Sequence, residues 1–241
     1  MSVHLDNAAG CFPRPNAVRE AVAEMLAKGA SPGRGFSEAA RHATDSVEQA
    51  RGALAELIGA APDRVCFLAN ATDALNAAIH GILDGGRVLT TALEHNSVLR
   101  PLRAAATSVD FVPLDARFRV TPDALEAALQ DDVRLVVVHH VSNLLGCEQD
   151  VRALGRLCRA RGVPFLVDAA QSVGILDVDV SDIDMLAFSG HKGLCGPPGV
   201  ACSTSRPGSN CGPGGRAAPA GIAPNCPSSQ RSFPISSKPA R

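Results

Sequence analysis

Up to residue 201 the chain alternates short apolar, β-branched runs with helical patterns, and that alternation limits what it can fold into more than any other feature. The runs fall at 64–69, 87–91, 109–114, 134–139, 163–168 and 184–189. Between and before them, apolar spacings of three and four predict helices at 15–27, 45–59, 72–83, 97–106, 121–129 and 150–161. Strands linked by helices lie parallel, and runs that are apolar at nearly every position are covered on both sides. The expected architecture is therefore α/β, a mostly parallel sheet with helices on both faces. A chain of 241 residues can bury a large core, and without Trp or Tyr that core must be built from Val, Leu, Ile and Ala.

Open sheets of this kind bind ligands outside the carboxyl ends of their strands. The polar motifs of the chain fall at such ends. Asp168-Ala-Ala-Gln171 ends one run, and Ser189-Gly-His-Lys192 ends the next, its serine twenty-one residues after the aspartate. Taken singly, Asp168 reads as a helix cap and Lys192 as a solvated loop lysine. As a pair they suit pyridoxal phosphate, whose aldehyde is held by a lysine and whose protonated ring nitrogen is held by a carboxylate. Thr72, in Asn70-Ala-Thr-Asp-Ala-Leu-Asn76, stands where a strand turns into a helix; it either caps that helix or adds a donor to a phosphate on the helix dipole. His95 could stack on a cofactor ring or be structural, and Asn143 could donate to a phenolic oxygen. His139-His140 invites a metal reading, but neighbours in a strand face opposite ways, so no metal site is expected.

Net charge is −1, which leaves no electrostatic footprint for nucleic acid. The eight cysteines form no Cys-x-x-Cys pair and read as buried or incidental thiols of a reducing compartment. No basic and apolar leader opens the chain and no apolar run reaches membrane length, so the expected location is cytoplasmic.

These motifs, together with Leu5-Asp-Asn-Ala-Ala9, Glu94-His-Asn-Ser-Val-Leu-Arg-Pro101 and His140-Val-Ser-Asn143, resemble the class V aminotransferase family of fold-type I pyridoxal phosphate enzymes. The resemblance is strongest to its cysteine desulfurase-like branch and covers residues 3–201. It implies Lys192 as the Schiff-base lysine and proton shuttle, Asp168 as partner of the pyridine nitrogen, and His95 stacked on the ring. It places Asn143 and Gln171 near the phenolic oxygen, and Thr72, Ser189, His191 and the Ala71 amide on the phosphate. It also implies a homodimer, an amino-acid substrate such as L-cysteine, and a sulfur-acceptor protein. Transamination or another carbon–sulfur cleavage remains open as the reaction, as does a cofactor-binding fragment without activity.

From Cys202 the composition turns rich in Pro, Ser, Ala and Gly, and no strand or helix period survives. The expected organisation is a pyridoxal phosphate-binding large domain at 1–201 and an abnormal, disordered tail at 202–241, with the carboxyl-terminal small domain missing. Cys195, beside the lysine, and Cys202 are poor substitutes for the thiol nucleophile that the family carries in that small domain. Codons regrouped from the last base of one residue and the first two of the next, beginning at Ala201, can spell Leu-Leu-Tyr-Ile-Ala and, further on, Gly-Gly-Thr-Gly. The first continues an apolar strand, and the second is a family phosphate-binding element. The reading implies a change of frame near codon 202, which would cost the large domain a strand and leave a sheet edge open.

Overall fold

The computed structural model describes residues 3–198 and a strand at 201–205. The strands are β1 (Cys66–Leu68), β2 (Arg87–Thr90), β3 (Ser108–Phe111), β4 (Val133–His139), β5 (Phe165–Asp168), β6 (Met185–Ser189) and β7 (Ala201–Ser205). They form one sheet in the order β1-β7-β6-β5-β4-β2-β3. Only β7 runs antiparallel to its neighbours, β1 and β6; the other pairings are parallel. The helices are α1 (Asn16–Lys28), α2 (Glu38–Ile58), α3 (Ala71–Ile82), α4 (Asn96–Ala105), α5 (Pro122–Ala128) and α6 (Val151–Ala160).

The helices divide between the two sheet faces as the strand pleat requires. Successive side chains of β4 alternate: Leu135 and Val137 join α3 and α4 through Ala74, Leu75, Ile79, Val98 and Leu102. Val136 and Val138 join the opposite layer with Ile58 of α2, Leu125 of α5 and Leu154 of α6. β5 and β6 divide in the same way, Leu166 and Ala187 to the first layer, Phe165, Val167, Leu186 and Phe188 to the second. Nearly every residue of these strands is buried, which is why their sequence reads as continuous rather than alternating hydrophobicity.

The main departure among the helices is α2, which begins at Glu38 rather than near 45. Ser37 caps it by accepting from the Ala40 amide, a contact contributing about 1 kcal/mol. Its added first turns bury only the small Ala40 and Ala43, so they present no apolar stripe to read. The other departure is β7, which forms at residues expected to begin the tail. Backbone pairing with β1 and β6 needs no hydrophobic period, and it closes the sheet edge that the sequence had left open. The rest of the expected tail, 206–241, lies outside the described residues. No helix among the described residues is long and apolar enough to cross a membrane.

Candidate active site

The carboxyl ends of β1, β4, β5 and β6 and the segment after β2 converge on a cavity of about 460 Å³. Ala71, Thr72, His95, Asn143, Asp168, Gln171, Ser189, His191 and Lys192 all line it. So do Asp6, Ala8 and Ala9 of the amino-terminal segment, and His139 at the end of β4.

Several residues of the lining are suited to an anion. Asn70 caps α3 by accepting from the Asp73 amide at 2.9 Å. Capping therefore does not fall to Thr72, the second residue of the helix, whose neighbour Ala71 donates its amide to Ser189 Oγ at 3.3 Å. Ser189 is buried, and Nδ1 of His191 is buried without a hydrogen-bond partner. Burial pushes the His191 imidazole below its ordinary pKa, with the Lys192 and Arg14 charges adding to the shift. The same cavity is thus lined by a helix amino terminus, a serine hydroxyl and a ring nitrogen without a partner, polar groups that could meet an anion.

Asp168 and Lys192 line the same cavity. Asp168 is the last residue of β5, where its Oδ1 accepts from the Ala170 amide at 2.9 Å. A tight turn follows rather than the helix its position suggested, with the Ser172 amide bonded to the Ala169 carbonyl. Burial raises the Asp168 pKa and the Glu94 charge adds to it, while the Ala170 amide, Lys192 and His95 oppose the shift. Burial lowers the Lys192 pKa, and Asp168 alone holds it up. The two groups thus shift each other toward their charged forms inside a desolvated site, and a lysine eased toward its neutral form is a better nucleophile.

Gly193 explains how the lysine loop reaches this place. A Cβ there would stand 2.4 Å from the Val173 carbonyl oxygen, so only glycine lets the loop lie against the turn that follows Asp168. His95 caps α4, with its Nδ1 accepting from the Ser97 amide at 3.1 Å. Because an amide can only donate, the neutral ring carries its proton on Nε2. Gln171 lines the cavity, but its Nε2 donates to the Ala8 carbonyl at 2.9 Å, so its amide group is tied to the amino-terminal segment.

Sequence reasoning missed the buried polar cluster beside these residues. Glu94 Oε1 accepts from Thr91 Oγ1 at 2.7 Å and the His139 amide at 3.1 Å, and lies 2.8 Å from His139 Nδ1. Gln149 reaches His139 from the far side, 3.4 Å between the two Nε2 atoms, and accepts from the Val120 amide through Oε1. The signal was a charged residue in the segment after β2 and a histidine ending an otherwise apolar strand. No cluster of potential metal ligands occurs among the described residues.

Comparison with known proteins adds an independent observation. The profile of the family described as Aminotransferase class-V matches residues 3–207. Cysteine desulfurase IscS of Serratia proteamaculans is 39% identical over 168 residues, covering 66% of this chain and 41% of the relative. A probable cysteine desulfurase of Methanothermobacter thermautotrophicus is 38% identical over 213 residues, covering 84% of this chain and 53% of the relative. The chain spans about half the length of the curated relatives it matches. Among solved structures, the apo cysteine desulfurase from Thermococcus onnurineus NA1 superposes with a TM-score of 0.79 at 33% identity, covering 85% of this chain and 54% of that one. SspA in complex with cysteine also gives 0.79, at 30% identity, covering 86% and 62%.

Proposed function

We propose, for a chain that belongs to the class V aminotransferase family and to its cysteine desulfurase-like branch, that the cavity binds pyridoxal 5'-phosphate and that the reaction is removal of sulfur from L-cysteine. The observation that carries this reading is the buried Asp168 sharing a cavity with a lysine whose pKa it holds up. The residues present fit the cofactor: a cationic ring nitrogen would offset the desolvation of Asp168, and a phosphate oxygen would answer the orphaned His191 nitrogen. When bound, pyridoxal phosphate supplies an aldehyde for covalent attachment and a protonated ring that accepts electrons from the amino acid.

The chain's own residues would then divide the work. Lys192 would be the residue that holds the cofactor's aldehyde and, once free, would act as general base and acid at the substrate carbons. Asp168 would pair with the ring nitrogen and favour its protonated form. His95, with a proton on Nε2, would hold the ring, and Asn143 would serve the phenolic oxygen, with Gln171 in the same lining. Thr72, Ser189 and His191 would hold the phosphate, and the Ala71 amide, which in this structure donates to Ser189 Oγ, would help there. Balanced as a whole, L-cysteine and an acceptor thiol become L-alanine and a persulfide, and a sulfur-acceptor protein would collect that sulfur.

A homodimer belongs to the same proposal. Helix α1 buries none of its residues, and Val3, Leu5, Leu26 and Phe36 around it are 77%, 90%, 80% and 97% exposed. An apolar surface of that kind favours cover by a second copy. The domain reading is likewise a proposal: residues 1–201 as the cofactor-binding large domain, and 202–241 as a segment translated out of the family's frame.

The test is reconstitution of the purified chain with pyridoxal phosphate, followed by borohydride reduction and peptide mapping. A visible band and a pyridoxyl group on the Lys192 peptide are expected, and Lys192→Ala should lose both. A variant that keeps the band refutes the assignment. Alanine release from L-cysteine then separates desulfuration from transamination and from a cofactor-binding fragment without activity.

A further inference from the structure

We propose that Cys11 and Cys195 are a disulfide-forming pair that tethers the amino-terminal segment to the lysine loop. Their sulfur atoms lie 3.0 Å apart although 184 residues separate them in the chain. That separation is about 1 Å more than a disulfide bond. Both residues are half-buried, neither is in a disulfide, and neither lines the cofactor cavity. Cys195 sits at φ 57°, a left-handed conformation that glycine adopts without strain, so the loop carries a side chain at a position where one is disfavoured.

The surroundings make the bond consequential. The segment before α1 has no regular secondary structure, yet its residues Asp6, Ala8 and Ala9 form one wall of the cavity. It is held by polar contacts: the Cys11 amide to the His191 carbonyl at 3.1 Å, Arg14 Nε to the Gly196 carbonyl at 3.0 Å, and Gln171 Nε2 to the Ala8 carbonyl. Within a single chain Leu5 and Phe12 are exposed and α1 buries nothing, so little apolar packing of the chain's own secures it. Segments held in this way open locally at low cost. A covalent bond from Cys11 to the loop carrying Lys192 removes that freedom.

The oxidant would be a small-molecule disulfide. One protein thiolate attacks it, forming a mixed disulfide and expelling one small thiol. The second protein thiolate then attacks the protein-bound sulfur and expels the other. The protein loses two protons and two electrons, and both electrons leave on the two small thiols. The shared Cys11 hydrogen bond, burial and the Cys11 charge raise the Cys195 pKa, and Arg14 opposes them, so exchange should quicken as pH rises.

The purified full chain would be incubated with oxidised glutathione, alkylated without reduction, and mapped by mass spectrometry. The expected result is a linked pair of peptides carrying Cys11 and Cys195, absent in Cys11→Ser and in Cys195→Ser and reversed by dithiothreitol. Hydrogen exchange at residues 6–14 should slow severalfold on oxidation in the parent chain and stay unchanged in Cys11→Ser. Complete alkylation of both thiols after oxidation, linkage of either to another cysteine, or exchange indifferent to oxidation would each overturn the proposal. None of these readouts depends on the cofactor, so a failure to bind pyridoxal phosphate would leave the result standing by itself.

Discussion

Glu94 and His139 form a buried pair, 2.8 Å between Oε1 and Nδ1, and His139 is the register partner of Asp168 across β4 and β5. A carboxylate oxygen that takes a ring N–H, a backbone N–H and a hydroxyl is well stabilised as an acceptor, while Oε2 is buried without a partner. Two carboxylates therefore lie close enough for the Glu94 charge to raise the Asp168 pKa. Lys192 offsets part of that charge, and a cationic ring in the cavity would offset more.

Removing the Glu94 side chain should be costly, because it leaves the His139 and Thr91 donors buried and unpaired. Glu94→Ala is expected to lose about 3–5 kcal/mol of unfolding free energy. Glu94→Gln keeps an oxygen for the same donors and should lose about 1–3 kcal/mol. Urea denaturation of the cofactor-free chain measures both. Equal losses in the two variants would show that the hydrogen bonds of Oε1 do not matter.

The raised pKa of Asp168 has a definite sign in stability. Its folded-state value lies above 3.8, so the folded chain keeps a proton that the unfolded chain gives up. The contribution is full below pH 3.8 and is lost as pH rises through the folded value. Comparison with Asp168→Asn isolates it: without cofactor, the stability of the parent relative to this variant should fall with rising pH across that window and then level. A relative stability that rises there would contradict the burial argument.

Gly193→Ala tests the seating of the lysine loop. The new methyl would meet the Val173 carbonyl at 2.4 Å and Ile175 Cγ1 at 2.9 Å, and the backbone contact cannot move aside cheaply. Thermal unfolding should show a loss of about 1–3 kcal/mol. The variant should also take up pyridoxal phosphate more weakly, because Lys192 moves with the loop. Unchanged melting together with unchanged uptake would mean that the loop has slack.

The elements legible in the sequence were those whose side chains are buried on one or both faces. β4, with five buried residues in succession after an exposed Arg134, announced itself by composition, and α3 and α6 by their apolar faces. The start of α2 was hidden because only alanines face the core there. At the site, residues within one motif could be read together because each motif ends a strand. Contacts between distant segments could not: nothing local joins Glu94 to His139, Gln171 to Ala8 or Cys11 to Cys195, and their meeting is a product of strand order.

Strand β7 bears on the gene itself. It lies between β1 and β6 inside the sheet, yet Ala201-Cys-Ser-Thr-Ser205 carries three hydroxyl residues where β4, β5 and β6 carry Val, Leu and Phe. A strand paired on both sides is ordinarily apolar in a parallel α/β sheet. In the neighbouring frame the same bases can encode Leu-Leu-Tyr-Ile-Ala, which satisfies that rule, and the frame goes on to Gly-Gly-Thr-Gly. Cys202 and Thr204 fix the two bases they give to a shifted codon, whereas Ser203, Ser205 and Arg206 each admit two codon families, so the codon family at those residues and the third bases together decide the matter. Sequencing the DNA across codons 195–241 should show third bases that permit the apolar strand, with one added base near codon 202 restoring the family's frame. Codons incompatible with that string would refute the frame change, and β7 would then be a polar strand held in the sheet by its backbone pairing.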